Sequence, residues 1–137
     1  MRKNGAAAAA YMASLSRNGA TGVKGYCLRT CRLAWDLGAD QGSAYAEWNS
    51  IPVAHRHYDP TTAPVGAPHF WYGGKYGHVA LQAEHEGYVW TTDLPTSNKV
   101  GLVDIKFVAS KWGYRYLGWS SQFQNQVLPL AGEAPKE

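Results

Sequence analysis

Apolar residues recur at helical spacing in the first part of the chain. A helix is predicted over residues 6–16, which are rich in strong helix formers and are followed by a glycine-containing segment. A second helix is predicted over residues 27–37, where the apolar positions form one stripe and Gly38 ends it. Ser43 is placed to cap a third, short helix that runs through Asn49. The N-terminal part is therefore predicted to be helical.

The pattern changes after Asn49. Residues 51–68 contain Pro, Thr and His without a period, which predicts a surface loop. Short aromatic and β-branched runs then alternate with turn residues, which is typical of antiparallel strands. Helices lead and an antiparallel sheet follows, so the predicted fold class is α+β, with N-terminal helices packed on a small sheet. The predicted strands cover residues 69–72, 78–83, 88–92, 100–103 and 114–119, with a short helix over residues 105–112.

The length of the chain bounds its domain organisation. A chain of 137 residues can bury one hydrophobic core, and a second domain is not expected. We expect a single domain over residues 1–137, with its core within residues 6–125. The polar, Pro-containing tail over residues 131–137 is predicted to be flexible.

Composition and charge narrow the classes of partner. Aromatic residues make up 13% of the chain and charged residues only 17%, which suits contact with a polar polymer such as peptidoglycan. The net charge of +3 comes from scattered basic residues, too few together for a stripe that binds nucleic acid. No apolar run is long enough to span a bilayer, so membrane insertion is not expected. The alanine-rich N-terminus turns polar before the apolar core of a signal peptide develops, which predicts synthesis in a cytoplasm.

The two cysteines occupy different positions in the second predicted helix. Cys27 and Cys31 are one turn apart, where a disulfide would be strained, so both are predicted to be thiols. Cys27 follows Gly25 and begins the helix, whose N-terminal N–H groups and partial positive charge stabilise a thiolate. It is a candidate nucleophile, or alternatively a small apolar residue of the buried stripe. Cys31 lies one turn deeper and is predicted to pack in the core.

A histidine suited to act as a base stands at the start of a predicted strand. His78 follows flexible glycines, and the hairpin after it is expected to turn at His85 and Glu86. That register places His78 opposite Asp93, whose carboxylate would orient the imidazole. The alternative for Asp93 is a turn or cap residue. Cys27, His78 and Asp93 are therefore the candidate nucleophile, base and orienting residue.

Seven short motifs follow one another along the chain: GYCLR at 25–29, AEWN at 46–49, GAPHFW at 66–71, GHVAL at 77–81, VWTTDLP at 89–95, KWG at 111–113 and LGW at 117–119. Together they resemble the catalytic domain of endolysins from phages of actinobacteria. These enzymes belong to the CHAP and NlpC-type superfamily of cysteine peptidases and amidases. The resemblance runs over most of residues 6–125, and its collinearity is more specific than any single motif.

The resemblance implies a papain-like core in which the helix bearing Cys27 packs on the sheet bearing His78. It implies a monomeric hydrolase without a cofactor that cleaves amide bonds of bacterial peptidoglycan after its release to the cell wall. Either the stem peptide or its link to muramic acid would be cut. The third catalytic position varies within the superfamily among Asn, Asp, Glu and His, so the implication for Asp93 is less specific. A toxin delivered against competing bacteria would share the same chemistry.

Two other classes of function compete with this interpretation. A metal-dependent amidase could draw ligands from the histidines, but His-x-His in an irregular loop lacks a fixed ligand geometry. A non-catalytic wall-binding or virion-structural module could instead use tryptophans to stack on saccharides. The residues involved are His55, His57, Asp59, His69, His78 and His85 for a metal, and Trp71, Trp90, Trp112 and Trp119 for a saccharide.

Overall fold

The computed structural model describes residues 1–130 and contains helices followed by a sheet. The prediction of a flexible tail over residues 131–137 lies outside the described residues. The helices are α1 (Gly5–Arg17), α2 (Cys27–Ala34), α3 (Ala44–Ser50) and α4 (Ile105–Trp112), with 3-10 turns at Val53–His55 and Pro60–Thr62. The strands are β1 (Arg56–His57), β2 (Pro68–Tyr72), β3 (His78–Gln82), β4 (Tyr88–Thr92), β5 (Val100–Asp104), β6 (Arg115–Ser120), β7 (Gln122–Phe123) and β8 (Gln126–Val127).

Six of the strands form one antiparallel sheet in the order β1-β6-β2-β3-β4-β5. The strands β7 and β8 form a separate antiparallel pair. The predicted α+β class, with N-terminal helices packed on an antiparallel sheet, is confirmed. The predicted strands and the helix over 105–112 lie within a residue or two of the observed ones.

Local capping explains where most of the helices begin. The Asn4 side chain accepts a hydrogen bond from the Ala7 amide at 2.9 Å, and the Ser43 hydroxyl accepts one from the Ala46 amide at 3.1 Å, as predicted for Ser43. Asp104 caps α4 in the same way. The helix α2 ends at Ala34, earlier than the predicted residue 37, because the following backbone turns into a left-handed conformation.

Two hydrophobic clusters lie on opposite faces of the sheet, because successive strand residues point to opposite sides. The larger cluster joins Phe70, Val79 and Leu81 to buried residues of the N-terminal helices. The smaller cluster joins residues of the other face to Val108 of α4 and Leu94. The sheet is therefore covered by α1, α2 and α3 on one side and by α4 on the other. The sheet residues of the smaller cluster are Trp71, Ala80, Val89 and Val103.

One part of the sheet was not predicted. The segment 51–68 was expected to be a loop, but Arg56 and His57 form β1 and pair with Ser120 and Trp119 of β6. The His57 ring stacks on the Trp119 ring with a centroid distance of 4.1 Å. Two residues are too short a run to show alternation, so the sequence pattern could not indicate this strand. Among residues 1–130, no helix is long and apolar enough to cross a membrane.

Candidate active site

Cys27 is the first residue of α2, the helix that packs on β3. The turn before it passes through Gly25 in a left-handed conformation, with φ of 74°. Within the described part of the chain, no side chain caps the start of α2. The amides of the first helical turn therefore keep their hydrogen-bonding capacity beside the thiol. Backbone amides of Val79, Leu28 and Cys27 itself act on the thiol and favour its ionised form.

Burial changes the pKa of the Cys27 thiol more than these amides do. Desolvation raises the pKa of Cys27 to about 11, although the residue as a whole is partly exposed. The charge of Asp93 raises the pKa further. This differs from the expectation that the helix terminus stabilises a thiolate, because loss of hydration costs the anion more than the amides return. At neutral pH the Cys27 side chain is therefore a thiol, and it would need a base in order to act as a nucleophile.

His78 is the first residue of β3 and is buried. Its Nε2 lies 2.6 Å from the hydroxyl oxygen of Thr91, and that hydroxyl lies 3.1 Å from the carbonyl oxygen of Thr92. The hydroxyl has a single proton, which it donates to the carbonyl, so it accepts the proton of Nε2. This arrangement leaves Nδ1 as the unprotonated, basic nitrogen of His78.

The surroundings of His78 keep it neutral. Burial lowers the pKa of His78 to about 4, and the charge of Asp93 offsets this only in part. The Trp112 ring packs edge-on against the imidazole, with a centroid distance of 4.9 Å. A neutral imidazole can accept a proton at pH 7, so His78 has the protonation state that a general base requires.

Asp93 lies in the same site, but its carboxylate accepts hydrogen bonds from backbone amides. Its Oδ2 accepts a hydrogen bond from the Gly25 amide at 3.0 Å, and its Oδ1 accepts one from the Asn98 amide at 2.7 Å. The predicted hairpin register is confirmed by the pairs Leu81 with Trp90 and Gln82 with Val89. Asp93 follows the end of β4 with φ of 68°, so it has left the strand. Its orienting role stays a prediction, and its observed contacts fix the turn before Cys27.

The hydrogen-bond partner of His78 is a residue that the sequence analysis missed. Thr91 lies on β4, and its hydroxyl reaches the His78 ring on the face of the sheet that carries His78. The confirmed register would place it opposite Ala80, next to His78 along the strand. Strand alternation alone could have shown that Thr91 was a candidate. The choice between Thr91 and Asp93 depends on where the strand ends.

Cys27, His78 and Asp93 line one cavity of about 420 Å³. Trp112 and Tyr114 form part of its wall. Within residues 1–130, no hydrogen bond joins the Cys27 thiol to the His78 ring. Such bonds are often long in a substrate-free site and tighten when substrate binds. The structure thus brings the three predicted residues to one cavity.

Cys31 has the environment predicted for it. The residue is fully buried, its thiol is free, and its Sγ lies 3.7 Å from the carbonyl oxygen of Val79. Burial raises the pKa of Cys31 well above its ordinary value. A buried neutral thiol that contacts a sheet carbonyl is a core residue.

The remaining histidines serve other contacts. His69 is buried between the hydroxyl of Tyr116 at 2.7 Å and Oε1 of Gln82 at 2.8 Å, and burial lowers its pKa to about 4. His55 and His57 both contact the Ser121 hydroxyl, at 3.0 and 3.2 Å. In the described residues, no three His, Cys, Asp or Glu side chains converge in a group able to hold a metal ion.

The tryptophans named for saccharide stacking differ in exposure. Trp71 and Trp119 are buried, at 1% and 5% exposure, whereas Trp90 and Trp112 are partly exposed. Two of the four therefore have no ring face open to a ligand.

Comparison of the chain with protein-family models, with curated proteins and with solved structures finds no match.

Proposed function

We propose that the chain is a cysteine-dependent amidohydrolase with a papain-like core that cleaves amide bonds of bacterial peptidoglycan. The observation that carries this proposal is the shared cavity. Cys27 at the start of α2 and His78 at the start of β3 line it together, with Asp93 beside them. A nucleophile, a base and groups that fix both are the parts that nucleophilic amide hydrolysis requires.

The proposed reaction begins from the neutral pair. Nδ1 of His78 takes the proton of the Cys27 thiol as the sulfur attacks the carbonyl carbon of the substrate amide. The C–N bond then breaks, and the imidazolium returns the proton to the leaving amine. A thioester between Cys27 and the acyl group remains. Water, deprotonated by His78, hydrolyses the thioester to a carboxylic acid and restores the thiol.

The start of α2 supplies a site for the negative charge that develops on the attacked carbonyl oxygen. Amides of the first turn lie beside the Cys27 sulfur and have no side-chain cap among the described residues. Fixed N–H groups and the positive end of a helix stabilise such an oxyanion. The absent cap therefore has a role in the proposed mechanism.

The choice of peptidoglycan as substrate rests on the sequence motifs and on the charge of the cavity. The motifs that resemble phage endolysins include those bearing Cys27, His78 and Asp93. Lys24 and Lys75 also line the cavity, and they favour approach to an anionic cell wall. We favour cleavage within the stem peptide over cleavage at the muramic acid amide, because an open groove accepts an extended peptide. Action at the wall after release from a cytoplasm is part of this proposal.

Digestion of purified actinobacterial peptidoglycan tests the proposal. Mass spectrometry of the fragments should show new amino groups and new carboxylates in equal number, with the glycan strands unbroken. The position of the new amine distinguishes stem-peptide cleavage from release of the whole stem at muramic acid. New reducing sugar ends without new amino groups would contradict an amidohydrolase.

A further inference from the structure

A second cavity adjoins the first on the other side of Cys27. It has a volume of about 340 Å³ and shares Gly25, Cys27 and Tyr76 with the first cavity. Its other walls come from α2 and from residues 39–44. The two cavities therefore form one groove that passes over the nucleophile, and a substrate bound in the groove would extend to both sides of the attacked bond.

Two arginines of α2 line the second cavity. Arg29 and Arg32 are three residues apart and lie on the same side of the helix. Nη2 of Arg29 donates to the carbonyl oxygen of Gly22 at 3.1 Å, and its Cζ lies 4.0 Å from the ring centroid of Tyr26. Nη1 of Arg32 donates to the carbonyl oxygen of Leu37 at 2.9 Å. Both guanidinium groups are thus held in place by backbone carbonyls.

Within the part of the chain that the structure describes, the two arginines of this cavity have no acidic partner. Across residues 1–130, no carboxylate lies within salt-bridge distance of Arg29 or Arg32. The described walls of the second cavity contain neither Asp nor Glu. Each guanidinium group has five N–H donors, and the hydrogen bonds to backbone carbonyls described above use only some of them. A guanidinium group that is fixed in position and keeps free N–H donors can form paired hydrogen bonds with the two oxygens of a carboxylate.

The position of His78 decides which part of the substrate reaches the arginines. In the proposed reaction His78 protonates the leaving amine, so the amine side of the scissile bond must lie in the first cavity, which His78 lines. His78 is not part of the second cavity wall. The acyl side of the substrate therefore extends over Cys27 into the second cavity, towards Arg29 and Arg32.

We propose that Arg29 and Arg32 form a subsite for a free carboxylate on the acyl side of the cleaved amide bond. This inference rests on the proposed function and narrows its substrate to acidic peptides. Stem peptides that carry a free carboxylate next to the attacked bond are preferred substrates. Their counterparts with that carboxylate converted to a primary amide are poor ones.

Hydrolysis of matched synthetic stem peptides tests the subsite. The wild-type chain should cleave the free acid at least about tenfold faster, in kcat/KM, than the primary amide at the acyl-side position. Arg29→Gln and Arg32→Gln should each reduce this preference for the free acid. Arg32→Lys should keep more of the preference than Arg32→Gln does, because lysine supplies the positive charge but not the planar guanidinium group. Arg17→Gln, at the exposed end of α1, is the matched control and should keep the full preference. Circular dichroism verifies that each variant folds.

A binding arm separates failure of the subsite from failure of the enzyme. Calorimetry with the Cys27→Ser variant measures the affinity for both peptides without turnover. Cleavage without preference for the acid overturns the subsite and leaves the proposed function standing. Binding that favours the acid and is lost in Arg32→Gln, without cleavage by the wild-type chain, supports the subsite as a carboxylate site and overturns the proposed reaction. Neither cleavage nor selective binding overturns both.

Discussion

Nε2 of His78 lies 2.6 Å from the hydroxyl oxygen of Thr91, in a buried part of the sheet. Because the same hydroxyl donates to the Thr92 carbonyl, this contact fixes both the direction and the tautomer of the imidazole. Thr91 is therefore a positioning residue in our account, and the basic Nδ1 of His78 is a consequence of it.

Replacement of Thr91 tests this positioning. Thr91→Val keeps the shape of the side chain but leaves the Nε2 proton without an acceptor, so we expect kcat to fall about tenfold or more with little change in KM. Thr91→Ser keeps a hydroxyl and should retain most of the activity. Nitrogen NMR of His78 should show protonated Nε2 in the wild-type chain and a mixture of tautomers in Thr91→Val. Equal activity of the Val and Ser variants would contradict the assignment.

His78→Ala should reduce turnover by several orders of magnitude, because it removes the base that accepts the thiol proton in the proposed reaction. Substrate affinity should change far less than kcat. His85→Ala is the matched control: His85 lies in the turn between β3 and β4, where its ring contacts only Tyr88 among the aromatic contacts described, and its loss should leave kcat unchanged. Comparable losses in the two variants, with folding preserved, would end the assignment of His78 as base.

The two cysteines should respond in opposite ways to replacement. Cys27→Ser should abolish cleavage of peptidoglycan and leave the fold intact, since the residue begins a helix at the edge of the cavity. Cys31→Ala should keep most of the activity but lower the free energy of unfolding by about 1–3 kcal/mol, because its buried thiol packs against the sheet. Zymograms and urea denaturation measure these effects. An active Cys27→Ser variant would exclude the thiol mechanism.

The raised pKa of Cys27 predicts how alkylation depends on pH. With a thiol pKa of about 11, the thiolate fraction grows with pH through the whole neutral range. In a Cys31→Ser background, the rate of modification by iodoacetamide should therefore rise about tenfold per pH unit from pH 7 to pH 10. A preformed thiolate and imidazolium pair would instead react at a constant rate from pH 5 to pH 8. Intact-protein mass spectrometry of timed samples distinguishes the two.

Local patterns predicted the elements that depend on local chemistry. The Ser43 cap was predictable because capping is a short-range hydrogen bond, and the hairpin register followed from the turn residues between β3 and β4. The strand β1 was not predictable, since it exists only because β6 lies beside it. Long-range pairing of so short a segment leaves no trace in hydrophobic periodicity.

The sequence was sufficient to predict which residues form the candidate site, but not which contacts they make. Cys27 and His78 were predicted from their places at a helix start and a strand start, and both line the observed cavity. The partner of His78 could not be chosen, because Asp93 leaves β4 and turns its carboxylate to backbone amides. The protonation state of Cys27 could not be predicted from the sequence either, because burial of the thiol raises its pKa and depends on how α2 packs on β3.

Trapping of the covalent intermediate tests the central claim, that Cys27 is an acylated nucleophile, most directly. The wild-type chain is mixed with a stem peptide that it cleaves, quenched in acid during turnover, and weighed by intact-protein mass spectrometry, followed by peptide mapping. The account predicts a mass increase equal to the acyl fragment of the substrate, located on Cys27 and removed by hydroxylamine as a thioester is. Cys27→Ser under the same conditions should show no thioester. Release of both products with an unmodified Cys27 at every quench time, and undiminished turnover in Cys27→Ser, would contradict the account.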